Sequence, residues 1–355
     1  MTEIGEEVFD ASESEDDEQS TSVRYTISSY GADYPVDSLV KRLDRGDVYV
    51  PEFQRRFVWT HAQASRLIES LLLGLPVPGI FLFKEPDTHK LVVVDGQQRL
   101  TSLLSFYHGV IGTRQFALKG VDESIDGATY DTLDEESRRM LDDSLLHATV
   151  FQQDQPEGDR SSIYRVFERL NTGGTALAPQ EIRSCVYRGP FNDLLQTLNE
   201  VEDWRSIYGP VSSKRKDQEL ILRFFALRDA LSTYSKPLKQ FLNDYMEEHA
   251  EPEDSWLDEH REVFLRTVSC AARHLPRESF RPERSLNVAV TDAILIGLAS
   301  RLERGRISDT EQLGTAAVEL SRQQDFREVT DRSTTEAASI SSRIRQATEA
   351  FNSVR

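Results

Sequence analysis

The chain has only two cysteines in 355 residues, Cys185 and Cys270, and no CxxC pair. A structural disulfide is therefore not expected, and a reducing, intracellular setting is the default. No secretory signal pattern opens the sequence. No apolar run approaches the ~18 residues that a spanning helix needs. The longest candidate, around Ile68–Phe83, is broken by Gly74, Pro76, Pro78 and Gly79. The seven histidines are scattered, with no HxxxH, HExxH or His/Cys spacing to suggest a zinc site. Walker A, GxGxxG and nucleophile-elbow patterns are also missing.

Basic residues are missing from one region in particular. The first twenty residues hold nine acids and no Lys or Arg, half of the net charge of -18. Residues 1–21 are Ser-rich, acidic and nearly free of aromatics, which predicts a disordered tail. An acidic chain does not attract nucleic acid by bulk charge, so any such contact needs a local basic patch. Lys214-Arg215-Lys216 and the spaced Arg273, Arg277, Arg281 and Arg284 are the candidates.

What remains is a globular composition, 38% hydrophobic and 29% charged, with length for about two domains. The pattern predicts strands at Ser22–Ser28, Gly79–Lys84, Lys90–Val94, Arg114–Leu118 and His147–Gln152. Helices are expected at Val36–Leu43, after Thr60 with a Thr60/Gln63 capping box, and from Arg99 to about His108. From Ser161 the pattern is helical almost throughout. This divides the chain into a tail (1–21), an α/β domain (22–155) and an all-helical domain (156–355).

The densest chemistry lies in Leu91-Val92-Val93-Val94-Asp95-Gly96-Gln97-Gln98-Arg99-Leu100. A buried strand runs through Gly96 into a helix. Unpaired N–H groups and the helix dipole favour an anion at such a junction. Two readings of the polar cluster stand side by side. Asp95 could be a helix N-cap with Gln98 completing a capping box. Alternatively Arg99 binds phosphate through its fork of donors, while Asp95 holds Mg²⁺ or acts as a base. Gln54-Arg55 repeats the same grammar between aromatics. Asn171-Thr172-Gly173-Gly174 reads as a helix stop whose Asn171 amide could also face the ligand.

Taken in order, several stretches resemble one family: Pro51-x-Phe53-Gln54-Arg55-x-Phe57-Val58-Trp59, Leu75-Pro76-Val77-Pro78, Val94 to Ser102, Phe167 to Gly174 with Glu181, and Asp217 to Phe224. They are similar to the DGQQR family, the N-terminal domain of GmrSD-type modification-dependent restriction enzymes, also found in SspE-type defence proteins. The resemblance implies a ParB/sulfiredoxin-like α/β (α+β) domain with a helical appendage. It implies nucleoside triphosphate binding and Mg²⁺-dependent hydrolysis, with Asp95, Gln98 and Arg99 catalytic and Asp95 on the metal. Gln54, Arg55, Gly96, Gln97, Thr101 and Asn171 would bind the nucleotide. Modified DNA is the implied partner in the cytoplasm, contacted through Lys214, Arg215 and Lys216, with a homo-oligomer as a further expectation. The last histidine is His274, and no HNH nuclease grammar follows it. The expectation is therefore a sensor or NTPase component whose HNH-type nuclease sits on a partner chain. The alternatives are a non-enzymatic ParB-like DNA-binding module and, third, a metal-dependent nuclease.

Overall fold

The computed structural model describes residues 8–9, 26–51, 57–85, 88–155, 161–170 and 177–355. Contacts divide the chain into two compact units, Val23–Leu177 and Ala178–Arg355, with Val8–Phe9 grouped with the second. Gln54, Arg55 and Asn171-Thr172-Gly173-Gly174 lie outside the described residues.

The first unit is built on a mixed five-stranded sheet with strand order β2-β8-β4-β5-β3. These strands are β2 (Thr26–Pro35), β3 (Val48–Tyr49), β4 (Ile80–Lys84), β5 (Leu91–Asp95) and β8 (Leu145–Gln155). β4 and β5 form the expected antiparallel hairpin, and β4 lies parallel to β8. Leu91 to Val94 are all buried, as an unbroken apolar run must be when both faces of a strand are covered. One face packs on helices α1 (Val36–Asp44), α2 (His61–Leu72) and α3 (Gln97–Tyr107) through a core including Leu39, Ile68, Leu82, Val93, Leu103 and Phe106. The other face buries Phe83 and Phe151, whose ring centroids lie 5.6 Å apart. Helix α5 (Ser161–Leu170) contacts β5, and α4 (Glu135–Asp143) precedes β8.

Several expectations shift. The first strand runs on to Pro35, because Asp33 to Pro35 extend the ladder with Leu145 to His147. The strand expected at Arg114–Leu118 shrinks to β7 (Arg114–Gln115), paired with β6 (Val110–Ile111) in a separate hairpin. Phe116 and Leu118 turn into the core instead. The capping box at Thr60 is present: Gln63 N–H donates to Thr60 Oγ1 at 3.3 Å, and Thr60 N–H to Gln63 Oε1 at 2.8 Å.

The second unit is mostly helical: α6 (Pro179–Val186), α7 (Pro190–Asn199), α8 (Glu202–Tyr208), α9 (Lys216–Ala230), α10 (Leu238–Glu248), α11 (Asp254–His274), α12 (Val288–Glu303), α13 (Thr310–Arg322), α14 (Gln324–Asp331) and α15 (Ala337–Asn352). Short β1 (Val8–Phe9), inside the acidic tail, pairs in parallel with β9 (Leu286–Asn287). Charged residues on α9 knit this unit. Asp217 accepts from Arg205 at 2.9 Å and from Asn199 at 3.0 Å. Arg183 donates to Glu219 at 2.7 Å. Arg223 and Arg343 converge on Asp292, at 2.6 and 3.5 Å. Burial pulls Arg343 down to about 10 although Asp292 opposes the shift. Among the described residues, no helix is long and apolar enough to cross a membrane.

The two-arginine cluster makes Asp292 the residue on which the unit's charge balance depends. Replacing it with Ala leaves buried cations uncompensated and should cost ~3–5 kcal/mol. Urea unfolding followed by tryptophan fluorescence reads this directly, since Trp204 is fully buried in the same unit. An unchanged midpoint would show that the cluster contributes no stability.

Candidate functional site

The site forms where β5 ends and α3 begins. Asp95 closes the strand, and Gly96 caps the helix at φ 100°, in the left-handed region. The first intrahelical bond joins Leu100 N–H to Gly96 O at 3.0 Å. A helix N-terminus therefore does lie at the polar cluster. The capping-box alternative is overturned. The N-cap residue is Gly96, which has no side chain, and no side-chain cap bond forms. The positive φ moves the helix start one residue beyond Asp95, so the carboxylate is not placed as a cap.

Asp95 and Gln98 are used differently. Arg99 Nη2 lies 3.0 Å from Asp95 Oδ2, and the same nitrogen donates to Gly79 O at 2.9 Å. One guanidinium thus ties the end of β5, the first turn of α3 and the loop entering β4. Its Nε is buried without a hydrogen-bond partner among the described residues. Side-chain exposure is 15% for Arg99 and 45% for Asp95, so the acid is the open half of the pair. Gln98 Oε1 accepts from Val58 N–H at 3.0 Å and from Trp59 N–H at 3.2 Å. That bond fastens the segment following Gln54-Arg55 onto the Asp95–Arg99 helix. Gln97 and Thr101, half-buried, share one face of α3 at i,i+4 spacing. Ser102 donates to Gln98 O at 2.7 Å.

Gly96 is required twice over. A Cβ there would lie 2.3 Å from Ile80 Cγ2, and the backbone is left-handed. The close approach of α3 to β4 is what lets Arg99 reach Gly79.

The basic candidates lie in the other unit. Lys214 is exposed. Arg215, at φ 56°, donates to Gln218 Oε1 at 2.9 Å. Arg281 leaves the basic patch altogether: it is buried and donates to the carbonyls of Ile207 and Tyr208, both at 2.9 Å. Glu181 is structural as well, accepting from Ala178 N–H at 2.7 Å. Among the described residues, no cluster of three His, Cys, Asp or Glu could hold a metal.

Sequence reasoning missed Asp33 and His147. Asp33 Oδ1 lies 2.8 Å from His147 Nδ1 on neighbouring strands, at the same end of the sheet as Asp95. Asp33 fell outside the expected first strand. The alternation of HATVFQ already placed His147 on the face opposite the buried Leu146 and Ala148.

Residues 36–188 match the model of the GmrSD restriction endonuclease, N-terminal domain. This segment is similar to that domain. It contains the Asp95–Arg99 junction and Gly79 together with the second strand of the Asp33–His147 pair. The chain is also 36% identical, over 105 aligned residues, to an uncharacterized protein of Methanocaldococcus jannaschii. That match covers 23% of this chain and 17% of the relative.

Gly96→Ala should destabilise the GmrSD-type domain by ~2–4 kcal/mol, from left-handed strain and overpacking together. Chemical denaturation of the single variant, and of a double-mutant cycle with Ile80→Ala, measures it. Relief of the clash should appear as a favourable coupling between the two changes. Additive losses would rule out the Ile80 contact as the cause.

Proposed function

We propose that this chain is a nucleotide-binding and nucleotide-hydrolysing sensor component of a DNA-modification-dependent restriction system. The observation that carries the reading is the Asp95–Arg99 pair, set at a helix N-terminus whose left-handed Gly96 leaves no side-chain cap. Amide N–H groups and a helix dipole offer an anion site there. Arg99 adds a charged fork suited to phosphate. Asp95 keeps Oδ1 while Oδ2 is held by Arg99. The amides of Gln97 and Gln98 and the Thr101 hydroxyl line the turn that would orient the nucleotide, and Gln54, Arg55 and Asn171 are proposed to complete it. The mixed sheet supports, as an inference, the ParB/sulfiredoxin-like relation.

The donor set suits Mg²⁺. This ion keeps several waters and binds through one or two carboxylates plus substrate phosphates, and Asp95 supplies one partly exposed carboxylate. Held there with a nucleoside triphosphate, Mg²⁺ would neutralise phosphate charge. The chain's own residues would grip the phosphates (Arg99), fix the turn against the Val58–Trp59 segment (Gln98) and keep the junction tight (Gly96). The proposed partners are modified DNA, read with help from Lys214, Arg215 and Lys216, and a separate nuclease subunit.

The test is hydrolysis of each common nucleoside triphosphate with Mg²⁺, with and without modified DNA. Asp95→Ala and Arg99→Ala should abolish turnover. The Asp95→Ala protein should stay folded, because an ion pair with one half so exposed contributes at most about 1 kcal/mol. If the unaltered protein turns over no nucleotide under any condition, the enzymatic reading fails. Salt-dependent DNA binding that survives Asp95→Ala would then favour the DNA-binding module.

A further inference from the structure

Asp33, Gly79, His147 and Asp95 are distant in sequence, and strand register gathers them at one end of the sheet. Asp33 stands opposite His147 on β2 and β8. Ile80 stands opposite Ala148 on β4 and β8, so Gly79 comes level with His147. Phe81 stands opposite Asp95 on β4 and β5. The strand carrying His147 is thus two strand spacings, about 10 Å, from the strand carrying Asp95, and Asp95, level with Thr149, lies two residues along from His147. A triphosphate chain with its attacking water spans such a gap.

The chemistry of the pair is directional. A carboxylate only accepts, so the 2.8 Å contact with Asp33 Oδ1 places the proton of the neutral ring on His147 Nδ1. Nε2 is then a bare acceptor. The imidazole is 58% exposed. Among the described residues, Nε2 has no hydrogen-bond partner.

Two glycines frame the ring. A Cβ on Gly31 would lie 2.9 Å from His147 Cε1, and one on Gly79 would lie 2.9 Å from His147 O and 3.5 Å from Cδ2. Neither glycine has a positive φ. Their missing side chains therefore serve space rather than backbone freedom. Gly79 also accepts from Arg99 Nη2, so a single residue abuts both the imidazole and the arginine of the Asp95 junction.

The geometry points to His147, oriented by Asp33, as the proton acceptor for the water that attacks the terminal phosphoryl group of a nucleotide held at Asp95–Arg99. This rests on the nucleotide reading above. In the step, the water oxygen forms a bond to the terminal phosphorus. The bond from that phosphorus to the bridging oxygen breaks, and its electron pair leaves with the nucleoside diphosphate. The water proton passes to His147 Nε2, and the imidazolium then releases a proton to solvent. An ordinary exposed pair on the same strands would contribute little to stability and nothing to turnover.

Full-length protein carrying His147→Gln, His147→Ala or Asp33→Asn tests this in the hydrolysis assay, with nucleotide affinity measured separately by fluorescent-nucleotide titration. His147→Gln should lower kcat by about 10²–10⁴-fold and leave affinity unchanged. Added imidazole should restore part of the turnover of His147→Ala. Asp33→Asn should also lower kcat, because an amide in place of the carboxylate can donate to Nδ1 and select the wrong tautomer. Wild-type kcat in His147→Gln, while Asp95→Ala is dead, overturns the proton-acceptor role and leaves the nucleotide reading standing. A loss of affinity equal to the loss of turnover, or no imidazole rescue, also overturns it. Absence of hydrolysis in the unaltered protein removes both.

Discussion

The guanidinium of Arg99 holds the candidate site together. Its Nη2 reaches Asp95 Oδ2 and Gly79 O at once, crossing from the end of β5 to the loop entering β4. That reach depends on α3 approaching β4 closely, and the approach depends on Gly96. With a Cβ at that position, Ile80 Cγ2 would be 2.3 Å away. A glycine with φ 100° therefore determines where an arginine four residues from Asp95 can point. The same constraint keeps Asp95 off the helix cap and leaves it partly exposed, which a carboxylate meeting a metal or water requires.

A second tie operates across a longer sequence gap. Gln98 Oε1 takes the amide protons of Val58 and Trp59. Two backbone donors that precede α2 are thereby satisfied by the first turn of α3. The segment following Gln54-Arg55 and the Asp95–Arg99 turn are consequently one structural object. The contact also gives Gln98 a role that a capping box does not describe.

Much of this was legible without coordinates, and the exceptions are informative. Leu91–Val94 announced a doubly covered strand because four apolar residues in a row leave no polar face. The junction after it was legible because an acid, two amides and an arginine crowd around a glycine. The cap alternative at Asp95 stayed open because periodicity gives the helix start only to within a residue, and a left-handed Gly96 shifts it by one. Arg281 was misread because spacing cannot tell a solvated arginine from one donating to the buried carbonyls of Ile207 and Tyr208. The short helices Glu202–Tyr208 and Gln324–Asp331 are about two turns each, too few for a periodic signal to stand out.

The Asp33–His147 pair was invisible for a deeper reason: its meaning lies in register. Strand pairing converts a separation of 114 positions into a 2.8 Å contact. It then brings that contact level with Gly79 and, one strand further and two residues along, near Asp95. Because side chains alternate along a strand, a slip of one residue in β8 would turn His147 toward the apolar core and Leu146 outward. Leu146, Ala148 and Val150 are all in that core, so burying them on one face sets the register that exposes His147 on the other. The hydrophobic side of β8 thus fixes the position of its polar side. The end of the sheet nearest α3 carries an oriented imidazole, a glycine slot and an arginine-held carboxylate across adjacent strands, and the packing of β8 sets where the imidazole stands among them.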